Sequence, residues 1–174
     1  VHNSFHFELL IALGSSSGDR LAMLSQAIRL IADQIGPIQK RSQIYATPPW
    51  GGVAKNEFLN ATVVAYANVS PGESLKRLLG IEAAMGRIRQ EPWSDRNIDL
   101  DILMIRGVND QDAIELTNDT LVVPHPRMLE REFCLVPAAE IAPDWIHPKT
   151  GRTLHDELIS SAFHLEASRH HWPK

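Results

Sequence analysis

Residues 98–103 read Ile-Asp-Leu-Asp-Ile-Leu, and the first five alternate apolar and acidic without a break. A helix repeats its faces about every 3.6 residues and cannot sort such a pattern. A strand sends successive side chains to opposite faces and sorts it completely. Asp99 and Asp101 then share one face, while Ile98, Leu100 and Ile102 share the other. The apolar face suits a core, and the two carboxylates stand about 7 Å apart along the strand. Like charges at that spacing repel unless a cation or an arginine lies between them. Hard divalent ions such as Mg²⁺ take carboxylate oxygens and complete their shells with water and phosphate. The same alternation also suits the exposed polar face of an edge strand.

The segments around it read as alternating strands and helices. Glu8–Leu13 is a short apolar run closed by Gly14-Ser15-Ser16-Ser17-Gly18, a buried strand running into a turn. Asp19 is placed to cap a helix whose stripe is Leu21, Leu24, Ile28, Ile31 and Ile35, and Gly36-Pro37 stops it. A second strand is expected over Ile38–Tyr45 and a third over Phe58–Ala67. Ser70-Pro71-Gly72-Glu73 is a capping box with proline at the first helical position. Its helix is expected to carry Leu75, Leu78, Leu79 and Met85 on one face and to end near Gly86. Asn97–Ile105 is the fourth strand.

These elements run βαββαβ, the split ferredoxin-like order. The expected fold is therefore α+β, with helices packed on a mostly antiparallel sheet. The core spans about residues 8–106, and a C-terminal extension follows over about 107–174, within one domain. In that extension Leu121–Val123 suits a short strand, Met128–Ile141 a helix interrupted by Pro137, and Thr153–Ile159 a short helix.

Composition narrows the function. Of 174 residues, 44% are apolar and 22% charged, as in an ordinary globular domain. Lys plus Arg number 17 against 21 Asp plus Glu, a formal charge of −4, which argues against a general nucleic-acid binder. Cys134 is the only cysteine, so no intramolecular disulfide forms and a cytoplasmic location is expected. No apolar run approaches the ~20 residues of a membrane span. Val1–Phe7 lacks the basic start and apolar stretch of a signal peptide.

Three further groups carry chemistry. Arg87, Arg89 and Arg96 flank Pro92, Trp93 and Ser94 just before the acidic strand. Guanidinium forks match phosphate oxygens, so arginines beside two carboxylates suit a metal–polyphosphate complex under a closing loop. A solvated charged loop fits the same residues. Val123-Pro124-His125-Pro126-Arg127 fixes a histidine between prolines, with Arg131 and Phe133 following. Thr47–Trp50 and Phe58-Leu59-Asn60 combine backbone, an aromatic ring and an amide, enough to hold a flat heterocycle. Core packing is the alternative for both phenylalanines. No P-loop, zinc-spaced Cys–His set or nucleophile elbow is present.

Taken together, the motifs resemble the 6-hydroxymethyl-7,8-dihydropterin pyrophosphokinase family of folate biosynthesis. The resemblance runs in family order from about residue 10 to residue 148. It is carried by Ala12–Ser15 with Gly18–Arg20, Tyr45–Pro49, Phe58–Ala61, Ile81-Glu82 and Gly86–Arg89. It continues in Trp93, Arg96–Leu103, Val123–Met128, Arg131–Phe133 and Glu140–Pro143.

It implies transfer of the β,γ-diphosphate of ATP to the pterin hydroxymethyl oxygen, with release of AMP. It implies two Mg²⁺ ions on Asp99 and Asp101, and Arg87 and Arg96 as catalytic loop arginines. Arg89, Trp93, His125 and Arg131 match ATP-side positions. Thr47, Pro48, Phe58, Asn60 and Phe133 match the pterin pocket, with the two rings as a sandwich. Glu82, three residues from Leu79 on an apolar stripe, is expected to support the site, since a buried carboxylate needs a partner. The partners implied are the small-molecule substrates alone, with neither nucleic acid nor membrane, and a monomer is expected.

Five residues depart from the family's common pattern: Ser16, Leu79, Ser94, Asp95 and Leu129. They touch nucleotide contacts and the arginine loop, and Asp95 sets a negative charge beside Arg96. Two other readings therefore stand beside the pyrophosphokinase. One is a non-catalytic pterin- or nucleotide-binding module of the same fold; the other is a metal-dependent phosphohydrolase using the same carboxylates.

Overall fold

A computed structural model of the chain describes residues 5–48, 56–86, 97–110, 112–163 and 169–172. The apolar run near the N-terminus forms β1 (Phe7–Ser15), and Asp19 caps α1 (Arg20–Gln34) by accepting the Ala22 N–H at 3.0 Å. Next come β2 (Ile38–Arg41), β3 (Ile44–Thr47) and β4 (Phe58–Ala67). The Ser70 hydroxyl caps α2 (Pro71–Ala84), with Pro71 in the first turn, and Gly86 follows at φ 79°. The acidic strand is β5 (Asp99–Gly107). The C-terminal part holds β6 (Leu116–Thr117), β7 (Val122–Val123), a 3-10 turn (Met128–Glu130) and α3 (Glu132–Ile141). After these come β8 (Ile146–His147), β9 (Arg152–Thr153), α4 (Leu154–Ser160) and β10 (Arg169–His170).

The main sheet has the order β10-β3-β4-β1-β5, with β2 also on β4, and every pairing in it is antiparallel. If β2 and β3 are counted as one broken edge strand, the core is the expected ferredoxin-like βαββαβ sheet. On one face, α1 and α2 pack over Leu9, Ile11 and Leu13 of β1 and over Leu100 and Ile102 of β5. On the other face, Leu10, Val64, Leu103 and Met104 pack with Met128, Cys134, Leu135 and Ala138 of the C-terminal part. The half of that face nearer the end of β1 carries Asp99, Asp101, Asn60 and Thr47, and it is here that polar groups gather.

Three expectations are corrected. The strand expected over Ile38–Tyr45 breaks at Ser42-Gln43. The Gln43 N–H donates to both carboxylate oxygens of Glu140 at 3.1 Å, and the Ser42 hydroxyl accepts the Thr62 N–H at 2.9 Å, so side chains replace ladder bonds there. Leu79 does not join the apolar stripe of α2. The buried stripe is Ser74, Leu78, Ile81 and Glu82, and Leu79, one step around the helix from Leu78, is 38% exposed. The Met128–Ile141 helix is interrupted at Arg131, which is extended at φ −115°, ψ 112°, while Pro137 lies inside α3. A proline there forfeits only the N–H that would meet the Phe133 carbonyl.

The outer edge of β5 is closed without a further long strand. The Leu100 N–H donates to Glu82 Oε1 at 2.8 Å, and the Leu103 carbonyl accepts the His125 N–H at 2.8 Å. The Ile105 carbonyl accepts the Ile114 N–H at 2.7 Å. Pairing these edge groups removes the template that an open strand offers to other chains.

Glu140 fixes α3 to the broken edge strand through Gln43 and through the Tyr45 hydroxyl, which donates at 2.7 Å. Glu140→Ala is expected to lower stability by about 1–2 kcal/mol, the range for lost hydrogen bonds to a charged group with some solvent access. Glu140→Gln should lose less. Urea denaturation checks this, and an unchanged midpoint in the alanine variant would contradict the anchor.

Candidate active site

Register places the site. Across the sheet Asn60 faces Gly14, and Gly14 faces Asp99; one step along, Thr62 faces Ala12, and Ala12 faces Asp101. The same rows continue outward, with Tyr45 facing Asn60 and Thr47 facing Phe58. Directly paired residues point to the same face. Thr47, Phe58, Asn60, Asp99 and Asp101 therefore line one polar surface, floored at its centre by the small residues Ala12 and Gly14. Asp99 and Asp101 are half-buried, while Leu100 and Ile102 between and beside them are held in the core.

A bulge shapes the lower end of this surface. The β1–β5 register shifts between Leu10 and Ile11, which leaves Leu103 as an extra residue on β5. Leu103 and Met104 then both enter the apolar layer beneath α3, so the acidic alternation ends abruptly in apolar packing. The carbonyl of Leu103 takes the His125 N–H. His125 is thereby hung beside the acidic strand, on a loop whose Val123–Pro124 peptide is cis.

Charge arranges the rest. Burial lowers the pKa of His125 below its usual value; Arg131 adds to the fall, Asp99 opposes it and Arg127 contributes to it. The imidazole is therefore neutral at pH 7. Its Nδ1 accepts the Arg127 N–H at 3.2 Å, which assigns the proton to Nε2. Cys134 is 1% exposed, and burial, with Asp101 and Asp99 adding to it, pushes its thiol up to about 12 despite Arg131. Asp99 and Arg131 thus act on both the half-buried His125 and the buried Cys134, and Asp101 acts on Cys134. The Arg131 guanidinium also lies 5.6 Å from the centroid of the Phe133 ring.

The heterocycle-type group is equally well ordered. Asn60 and Thr47 are 5% and 9% exposed, and the Asn60 amide N–H donates to Thr47 Oγ1 at 2.8 Å. Phe58 is half-buried beside them, and Pro48 is exposed at the end of β3. Phe133 sits on α3, which packs on β4, so the two rings belong to facing elements. Glu82 is 2% exposed on the opposite face of the sheet and acts on the acid pair from behind, through the N–H of the residue between the two aspartates. Arg87, Arg89, Trp93 and Arg96 lie outside the described residues, as do Ser94 and Asp95. Ser16 is buried, and Leu129 packs against the layer under α3.

Sequence reasoning left three contributors unassigned. Cys134 is buried within electrostatic reach of the acid pair, Gly14 floors the site, and Glu140 anchors α3. The sequence reading sets Gly14 in the turn after Leu13, but β1 runs on to Ser15, and a glycine inside a strand weakens it unless something approaches closely. No group of three or more His, Cys, Asp or Glu able to hold a metal occurs among the described residues. Two carboxylates would fill only part of an octahedral shell, leaving the rest to outside oxygens such as water or phosphate.

A family profile described as 7,8-dihydro-6-hydroxymethylpterin-pyrophosphokinase (HPPK) matches residues 10–143. A Methylorubrum extorquens protein named 2-amino-4-hydroxy-6-hydroxymethyldihydropteridine pyrophosphokinase is 42% identical over 137 residues, covering 78% of this chain and 83% of its own length. Proteins of the same name are 41% identical over 132 residues in Bacillus subtilis and 37% identical over 146 residues in Synechocystis. The first covers 75% of each chain, and the second 83% of this chain and 71% of its own. A crystal structure of an HPPK-DHPS chain with substrates superposes with TM-score 0.69 at 17% identity, covering 90% of this chain and 43% of that one. The Plasmodium falciparum HPPK-DHPS with SDX-DHP gives 0.69 at 15% identity, covering 87% and 44%. This chain spans under half the length of those two, and the likeness at such identity is one of fold.

Two measurements check the electrostatics. The His125 imidazole should titrate by NMR with a midpoint below 6.5, and Arg131→Ala should raise that midpoint. A folded-state pKa below the unfolded value means that the neutral form stabilises the fold: the contribution is present above pH 6.5 and is lost as pH falls through the folded midpoint. A midpoint above 6.5 would contradict the placement. The Cys134 thiol should resist a thiol reagent at pH 8 in the folded protein and react on unfolding.

Proposed function

The chain belongs to the 7,8-dihydro-6-hydroxymethylpterin-pyrophosphokinase family, and from that membership we propose which of its residues carry the reaction. It is an ATP-dependent pyrophosphokinase of folate biosynthesis, moving the β,γ-diphosphate of ATP to the hydroxymethyl group of its pterin and releasing AMP. The observation that carries the assignment of residues is the row Asn60–Gly14–Asp99. It sets an amide-and-ring pocket two strand spacings, about 10 Å, from a pair of carboxylates.

In this reading the pterin ring lies between Phe58 and Phe133, with Thr47, Pro48 and Asn60 at its edge. Aromatic faces hold the ring by stacking, and the buried amide reads its polar edge. The hydroxymethyl group then points across Gly14 toward the acids. Asp99 and Asp101 would hold Mg²⁺, and the donor set fits: two half-buried carboxylates on one face, whose hard oxygens suit that ion, with water and phosphate completing its shell. Bound there, Mg²⁺ supplies charge that offsets the triphosphate. Two ions are proposed, both on these carboxylates.

Arg131 and the Nε2–H of His125 meet phosphate oxygens from the other side, joined by Arg89 and Trp93. A neutral imidazole donates one hydrogen bond there. The hydroxymethyl oxygen bonds the β-phosphorus and gives its proton to water, the bond from that phosphorus to the α–β bridging oxygen breaks, and AMP leaves with the bridging oxygen. Arg87 and Arg96 act where charge develops, which is worth most in the transition state. Positioning and charge, rather than a covalent enzyme intermediate, supply the rate.

We propose a monomer as the working unit. Residues 107–174 belong to that same unit, because α3 brings Phe133 to the site. No described helix is long and apolar enough to cross a membrane. With a single buried thiol, we place the enzyme in the cytoplasm.

AMP release from ATP, Mg²⁺ and hydroxymethyl-dihydropterin tests the reading. Asp99→Ala should lower turnover by at least ~100-fold and weaken Mg²⁺–ATP binding. Normal turnover in that variant would overturn the metal assignment. Arg96→Ala should depress kcat more than it weakens either substrate. Inorganic phosphate released without pterin would instead favour a phosphohydrolase, and bound pterin without AMP a binding module.

A further inference from the structure

Gly14 sits near the end of the central strand β1, between Asn60 on one side and Asp99 on the other. Its backbone has no left-handed φ, so the strand's conformation does not require a glycine. A glycine in a strand interior weakens it and gives it nothing to pack, so its presence needs another cause. The surroundings supply one. A Cβ at this position would lie 3.1 Å from Asn60 Oδ1 and 3.8 Å from Phe58 Cδ1. Asn60 cannot easily give way, because its amide nitrogen is committed to Thr47 Oγ1 at 2.8 Å and both residues are buried.

We propose that Gly14 is a positioning residue for pterin recognition: its missing side chain lets the Asn60 amide, locked by Thr47, turn its oxygen to the site and leaves a clear floor between pterin and the acid pair. The inference rests on the placement of the pterin at Asn60 and Phe58 argued above. Its consequence is selective. A methyl at Gly14 displaces the amide oxygen and narrows the floor on the pterin side, while no atom of Asp99 or Asp101 lies within 4 Å of it. A general loss of fold would weaken both substrates together; the loss proposed here falls on one.

The test compares wild type, Gly14→Ala, Asn60→Ala and the double variant. Hydroxymethyl-dihydropterin affinity is measured by fluorescence titration and Mg²⁺–ATP-analogue affinity by calorimetry. Gly14→Ala should weaken pterin at least tenfold and leave the nucleotide within about twofold. In the Asn60→Ala background the same substitution should add less than a twofold loss, because the amide through which it acts is gone. Unchanged pterin affinity in Gly14→Ala, or fully additive losses in the double variant, would overturn the proposal alone. Unchanged pterin affinity in Asn60→Ala would overturn the pocket assignment beneath it, and the proposal with it. If Gly14→Ala is recovered unfolded but the double variant melts where Asn60→Ala does, the crowding contact stands. If both are unfolded, the strand itself needs glycine and the proposal fails.

Discussion

The antiparallel pairing of β1 with β5 is the constraint on which the site depends. With Gly14 opposite Asp99 and Ala12 opposite Asp101, both acids stand over the small residues of the central strand. A slip of one residue would turn Leu100 and Ile102 to that face and bury the acids among α1 and α2. Several interactions hold the register. Apolar burial on the opposite face fixes which side chains go in. The ion pair between Glu8 and Arg106, one buried and one mostly so, pins the far end of the same two strands. Glu82 and the His125 backbone pin the outer edge of β5.

The C-terminal part is as much a wall of the site as an extension of the core. Its helix α3 buries Cys134, Leu135 and Ala138 against Leu10, Val64, Leu103 and Met104, which ties one end of the polar surface shut. In the proposed site the same helix supplies Phe133 to the pterin side, and its N-terminal flanking residue, Arg131, to the phosphate side. Glu140, near its other end, locks it to the kink in the edge strand. The proposed pocket and acid pair thus share one short helix, although their residues lie far apart in sequence.

Much of this was legible in the sequence because the signals were local. Alternation in 98–102 announced a strand with an acidic face, and Asp19 and Ser70 announced helix starts that their capping bonds bear out. Phe58–Ala67 was bounded correctly because its apolar and β-branched run ends in turn residues. The misreadings came from contacts that no local pattern records. The break at Ser42-Gln43 depends on a carboxylate 97 residues away in sequence. The interruption at Arg131 depends on where the 3-10 turn and α3 meet, so the more conspicuous Pro137 misled. Leu79 looked like core because leucine usually is, and only the angular position of Leu78 and Ile81 leaves it outside. The role of Gly14 needed the register, since an absent side chain acquires meaning only from what lies opposite.

The central claim is that register and alternation make Asp99 and Asp101 a divalent-cation seat one strand away from the pterin floor. Anomalous diffraction from crystals grown with Mn²⁺, a non-hydrolysable ATP analogue and hydroxymethyl-dihydropterin tests it most directly. The account predicts manganese peaks within bonding distance of both carboxylates, with the pterin ring between Phe58 and Phe133. Manganese bound elsewhere, with either aspartate turned from it, would contradict the account.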